Sequence, residues 1–141
     1  SVRDHDKPDV IGAARELHAM GFKIIATGGT ARFLRESGVE AEPVYKVAEG
    51  RPNIVDRIKS REVDMVINTS FGAKSVADSY SIRRSSIEMG LPYFTTIAGA
   101  KAAALAIKAA VKEGLEVAPL QEYHKRLSGQ IKGAATGLSV K

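Results

Sequence analysis

The sequence contains no cysteine, so disulfides, thiolate metal sites and thiol catalysis are excluded. It also lacks an apolar run of about 18 residues, the length a membrane-spanning helix requires. Aromatic residues make up only 6% of the chain and are not interleaved with basic ones as on a base-stacking surface. The opening residues Ser1-Val2-Arg3-Asp4 have no signal-peptide h-region. They read as a strand cut short, which suggests a domain excised from a longer chain, and a cytoplasmic setting is expected. There is no Gly-x-Ser-x-Gly elbow and no Walker Gly-x-x-x-x-Gly-Lys-Ser/Thr loop. His5, His18 and His124 show no metal-ligand spacing and have no accompanying carboxylate cluster.

What remains is ordinary globular material. The 141 residues are 44% hydrophobic and 26% charged, enough for one compact domain with its own core. Lys and Arg exceed Asp and Glu by 21 to 16, giving a net charge of +5. These cations are spread along the chain rather than clustered, which favours a small anionic ligand over polymeric nucleic acid.

Strand-like and helix-like segments alternate. Ser1 to Arg3 is a predicted strand. Asp6 then reads as a helix N-cap, with Pro8 and Asp9 in the first turn and Val10, Ile11, Ala14 and Leu17 at helical spacing. Phe22 to Ala26 is a short apolar run following Gly21 and fits a buried strand. Thr27 to Thr30 reads as a turn, and Ala31 to Ser37 as a helix. Val39 to Tyr45 reads as an edge strand because it contains Pro43. Asn53 caps a helix running to Lys59, and Val63 to Ile67 is a fourth strand. Asp78 to Met89 is helical, Pro92 to Thr95 is the fifth strand, and Ala98 to Glu113 is an Ala-rich helix. The repeated unit predicts an α/β fold, a doubly wound five-stranded parallel sheet with helices on both faces. The domain is expected over residues 1–127, including a short amphipathic helix from Pro119 to Leu127, with a mobile tail over 128–141.

In such sheets ligands bind beyond the carboxyl ends of the strands. Lys7, Thr27, Gly28, Gly29, Thr30, Lys46, Asn68, Thr69 and Ser70 all fall at that rim. Glycines admit an oxyanion close to the backbone, helix N–H groups point at it, and lysines neutralise its charge. Asn68 suits a base or sugar, and Asp78 suits ribose hydroxyls. Each residue also has a plainer reading. The Gly-Gly turn is an ordinary strand-to-helix joint, Lys7 and Lys46 are surface lysines, and Asp78 is an N-cap. Convergence on one edge favours the phosphate-ester reading. Without a Walker loop or acidic cluster for magnesium, that reading is sensing rather than phosphoryl transfer.

The stretches Ala26-Thr27-Gly28-Gly29-Thr30, Lys46-Val47-Ala48-Glu49-Gly50-Arg51-Pro52-Asn53-Ile54, Val66-Ile67-Asn68-Thr69 and Ile82-Arg83-Arg84 resemble the methylglyoxal-synthase-like domain family. Within it they look like the C-terminal allosteric domain of carbamoyl phosphate synthetase large subunits. The resemblance runs from Ser1 to about Ala110 and implies flavodoxin-like strand order and a site for UMP or IMP. It implies that Lys7, Thr27, Gly28, Gly29, Thr30 and Lys46 hold the phosphate. Asn68, Thr69, Ser70 and Asp78 would line the nucleoside side, and Arg83, Arg84 and Tyr93 would lie near a face that couples to the rest of the enzyme.

The resemblance further implies no catalytic residue, cofactor or metal in this domain. The parent would be a glutamine-hydrolysing, ATP-dependent ligase of pyrimidine and arginine biosynthesis that uses magnesium or manganese and potassium. Its partners would be the remainder of the large subunit and a glutaminase small subunit. The alternative within the family is a divergent methylglyoxal synthase acting on dihydroxyacetone phosphate. That enzyme needs an aspartate base where Pro52 stands here. A nucleic-acid module is the remaining alternative, and salt-dependent RNA or DNA binding would mark it. Phe94 replaces an acid found in ornithine-responsive relatives.

Overall fold

A computed structural model describes residues 1–70, 73–113, 119–122 and 124, the side chains of 73–78 and 113 excepted. The chain forms two compact units, Ser1–Ala109 and Ala110–Lys141. The candidate site lies in the first. The expected helix over 119–127 falls partly, and the expected tail over 128–141 wholly, outside the described residues.

A 3-10 turn at Asp4–Asp6 leads into α1 (Lys7–Ala19). Pro8 sits in the first turn of α1, where its missing N–H costs nothing, and Asp9 opposes the helix dipole. Val10, Ala13, Ala14 and Leu17 form the buried face of α1. Gly21 then takes φ 92°, a left-handed conformation that suits glycine just past a helix end. Next come β1 (Ile25–Thr27), α2 (Gly28–Glu36) and β2 (Glu42–Val44). β1 and β2 are parallel, with Ile25 opposite Glu42 and Thr27 opposite Val44.

Asn53 caps α3 (Ile54–Lys59) as expected, through a reciprocal capping box. Its side chain accepts from Val55 and Asp56 N–H, while Asp56 accepts from Asn53 N–H. The chain continues through β3 (Val66–Ile67), α4 (Ala73–Glu88), β4 (Tyr93–Phe94) and α5 (Ile97–Glu113). β3 and β4 are also parallel, Val66 opposite Tyr93. One buried cluster joins Val10, Ala14, Ala26, Ala31, Leu34 and Val39. A second joins Ala13, Leu17 and Ala104, and a third Ile58, Val66 and Ile82.

The α/β class and the parallel pairing agree with the sequence pattern, but the continuous five-stranded sheet does not appear. Among the described residues there are four short strands in two pairs, β1 with β2 and β3 with β4. The expected first strand is reduced to Ser1. Its amino group donates to Ile67 O at 3.0 Å, and its carbonyl accepts from Thr69 N–H at 3.1 Å. This is the bonding pattern of a parallel ladder, but it extends over a single residue. By Asp4 the backbone has already entered the 3-10 turn, so residues 1–3 are too few to form a strand. Pro43 lies in β2, which pairs on one side only, as expected for an edge strand.

Candidate functional site

The segment from Ser1 to Lys7 organises the rim. Val2 is fastened to α2 twice through the buried Thr30 hydroxyl, which accepts from Val2 N–H at 3.1 Å and donates to Val2 O at 3.3 Å. Thr27 Oγ1 donates to Ser1 Oγ at 3.1 Å. On the other side, Thr69 Oγ1 accepts from Arg3 N–H at 3.1 Å. Arg3 also pairs with Asp6 at 2.5 Å, and this hydrogen bond, with a further one from Thr69, keeps the Asp6 carboxyl below its usual range. Thr30 and Thr69, both expected at the ligand, also pin this segment against α2 and β3.

A cationic spot lies at the start of α2. The helix begins at Gly28, earlier than the sequence suggests, and its N-cap Thr27 makes no side-chain capping bond. The first N–H groups of a helix lack intrahelical acceptors and carry partial positive charge. Lys7 Nζ sits beside them, only 3.3 Å from where a Cβ on Gly29 would stand. Gly28 has open space in the same sense. Lys7 pairs with Asp4 at 2.6 Å, its side chain 15% exposed while that of Asp4 is 94% exposed. Lys7 therefore holds the Asp4 carboxyl below the usual carboxylate range, and Lys46 adds to the effect. An exposed, replaceable carboxylate faces an ammonium that is mostly covered and rests on a helix N-terminus. This arrangement suits exchange of Asp4 for an external oxyanion.

Beside this spot lies a cavity of about 450 Å³, within the size range of small-molecule sites. Lys46 and Glu49 line one side, Ser1 and Asp4 another, and Asn68 and Thr69 a third. The loop carrying Lys46 is folded on itself, with Lys46 N–H donating to Glu49 Oε2 at 2.9 Å. Asn68 is buried, and its amide donates to the Tyr93 hydroxyl at 2.8 Å. The Arg83 guanidinium lies 6.0 Å from the centroid of the Tyr93 ring, at the outer range of a cation–π contact.

Of the expected residues, Lys46, Asn68 and Thr69 share the cavity wall. Lys7, Thr27, Gly28, Gly29 and Thr30 form the adjoining cluster, linked to the cavity through Asp4 and Ser1. Ser70 follows Thr69 but is not part of the wall. Asp78 does not cap α4, because that helix begins at Ala73; its side chain is not described. Ser79 and Ile82, also on α4, line the cavity and were missed in the sequence. Among the described residues no group of three His, Cys, Asp or Glu is placed to hold a metal ion. No described helix is long and apolar enough to cross a membrane.

An α/β domain with short parallel strands and a lysine ammonium at the start of α2 defines a class, and family comparison places the chain in one. Residues 9–95 match the MGS-like domain, so the chain belongs to that family. Within the family its likeness is to the large chain of carbamoyl phosphate synthase. It is 55% identical over 123 residues to that of Rhizobium meliloti, covering 87% of this chain and 11% of the relative. With the Brucella suis large chain it shares 50% over 125 residues, covering 89% of this chain and 11% of the relative. With the Methanopyrus kandleri large chain, C-terminal section, it shares 49% over 126 residues, covering 89% of this chain and 23% of the relative. The chain thus spans roughly a tenth to a quarter of the relatives it matches.

Proposed function

We propose that this domain is an allosteric sensor that binds a nucleoside monophosphate, UMP or IMP, within a carbamoyl phosphate synthetase large subunit. The observation that carries this reading is the placement of Lys7 Nζ at the head of α2, with the exposed Asp4 carboxylate as its ion-pair partner. A ligand phosphate takes the place of Asp4, against the Gly28 and Gly29 N–H groups and Lys7. Lys46 closes on it from the facing loop. Asn68, with both donor and acceptor atoms, serves the nucleoside, and Ser70 and Asp78 extend that side toward the ribose. The domain performs no chemistry itself. It acts by linkage, because an effector that prefers one conformation shifts the whole enzyme toward it. The parent supplies the ATP sites, the metal ions and the glutaminase partner.

Calorimetric titration of the domain with UMP, IMP and inorganic phosphate tests this. Saturable nucleotide binding clearly tighter than phosphate supports the sensor. Absence of nucleotide binding by the full large subunit, with methylglyoxal formed from dihydroxyacetone phosphate, replaces the sensor with the enzyme.

A further inference from the structure

The segment from Ser1 to Lys7 carries two carboxylates, placed very differently. Asp6 is 13% exposed and is held by the Arg3 guanidinium at 2.5 Å, with a further hydrogen bond from Thr69. Asp4 is 94% exposed, and among the described residues its side chain has one ion-pair partner, Lys7 Nζ at 2.6 Å. That contact falls where the phosphate is placed above. Lys7 Nζ lies at the head of α2, 3.3 Å from the position of a Cβ on Gly29. Asp4 also lines the smaller cavity together with Lys46. Lys7 first, and Lys46 after it, hold the Asp4 carboxyl below the usual carboxylate range. The carboxylate therefore meets both side-chain cations assigned to the phosphate.

The backbone around Asp4 is fixed, but its side chain is not. Val2 is fastened to Thr30 and Arg3 to Thr69. On the other side, the Asp4 C=O accepts from Lys7 N–H at the end of the 3-10 turn. The carboxylate can leave Lys7 by side-chain rotation alone, a motion of picoseconds to nanoseconds in exposed residues. No refolding of the segment is needed.

We propose that Asp4 is a built-in competitor of the effector phosphate, which occupies Lys7 and sets the affinity of the domain because it must be displaced. The inference rests on the phosphate position proposed above and adds the regulation of that position. A carboxylate and a phosphate dianion at one ammonium repel each other, so they occupy it in turn. Apparent affinity then falls by the fraction of molecules in which Lys7 is available. For an exposed ion pair that factor is about two- to fivefold. It applies equally to every ligand held through Lys7, and not to one that lacks the phosphate.

Asp4→Asn removes the competing charge and leaves the turn intact, because the turn uses the Asp4 carbonyl rather than its side chain. Glu40→Gln is the charge-matched control, since Glu40 is exposed and lies outside the cavity wall. The chain is titrated with UMP and IMP, with inorganic phosphate, and with the nucleosides uridine and inosine. Asp4→Asn is expected to bind nucleotide and phosphate about two- to fivefold tighter, by the same factor for each. Nucleoside binding is expected to stay as in wild type, and Glu40→Gln to match wild type throughout. In the full large subunit, the nucleotide concentration giving half the maximal response is expected to fall by the same factor, a measurement that does not depend on the domain alone.

Equal nucleotide binding by wild type and Asp4→Asn makes the contact with Lys7 a plain surface ion pair and overturns the proposal. Weaker binding overturns it too, by making Asp4 one of the ligand's own contacts. So does equal tightening of the nucleosides, or tightening in Glu40→Gln, which would trace the effect to net charge. Absence of nucleotide and phosphate binding by wild type and variant alike overturns the phosphate position itself, and the competitor with it.

Discussion

The side-chain amide of Asn68 donates to the hydroxyl of Tyr93 at 2.8 Å, joining the wall of the smaller cavity to β4. Asn68 is only 2% exposed, so its amide has little access to water, while Tyr93 is half-buried. Tyr93 also carries the Arg83 guanidinium over its ring. The three residues make a continuous contact from the site to α4. Tyr93→Phe keeps the ring and the cation–π contact but leaves a buried amide donor without its partner. Such a loss costs about 1–3 kcal/mol. Thermal unfolding is expected to show that decrease, and nucleotide affinity is expected to fall with it as Asn68 loses its fixed orientation. Unchanged stability and affinity would show that the bond contributes nothing to either.

Lys46 sits on an exposed loop, and its role is separable from stability. Lys46→Ala is expected to shift stability by no more than about 0.5 kcal/mol. Phosphate-ester binding should weaken by about 1.5–3 kcal/mol, the value of a charge-assisted contact. Titration of wild type and variant with the same nucleotide measures it, and equal affinities remove Lys46 from the site.

Gly29→Ala probes the proposed phosphate position from the backbone side. The added methyl would lie 3.3 Å from Lys7 Nζ, and the end of a flexible lysine can move by the few tenths of an ångström required. Alanine is also the better helix former. The unfolding midpoint is therefore expected to hold or rise slightly. The methyl and the displaced ammonium both intrude where the phosphate would rest, so affinity is expected to drop at least tenfold, about 1.4 kcal/mol. Unaltered binding would place the phosphate elsewhere.

Asn53→Ala removes the side-chain half of a capping box whose geometry is complete in α3, leaving the backbone N–H of residue 53 free to donate to Asp56. The expected loss is about 1–2 kcal/mol, read from chemical denaturation. Because Asn53 is not in the cavity wall, ligand affinity under folding conditions should be unaffected. A matching loss of affinity would mean that the cap also positions the Lys46 loop.

The features legible in the sequence are those that local chemistry decides. Asn53 announces its cap by standing just before the helical run from Ile54 to Lys59, and Pro43 announces an edge strand. Lys7, Gly28, Gly29, Lys46 and Asn68 were expected at the site because strand ends converge on one rim in an α/β fold. The structural bonds of Thr30 and Thr69 were not legible. Their hydroxyls are taken by Val2 and Arg3, 28 and 66 residues away in sequence, and no local pattern encodes such pairs. Helix starts also shifted, since α4 begins at Ala73 rather than Asp78. The division of the strands into two pairs was equally hidden, because an apolar run marks a strand without fixing its pairing partner.

The Ser1 amino group provides a pH test of its local environment. Chiefly through burial, and secondarily through Lys46, its pKa is lowered from 8.0 to about 6. The folded chain therefore binds this proton less readily than the unfolded chain does. Below pH 6 both states are protonated and the full cost of burying the charge is present. Between pH 6 and 8 the unfolded state holds more protons, so stability rises with pH, and above pH 8 the cost is gone. The total gain is about 2–3 kcal/mol. Unfolding midpoints of the chain beginning at Ser1 should thus climb across this window relative to the same chain with Ser1 acetylated. His5, His18 and His124 are common to both forms and cancel in the comparison. Parallel pH profiles for the two forms would show that the amine is solvated rather than held against Ile67 O.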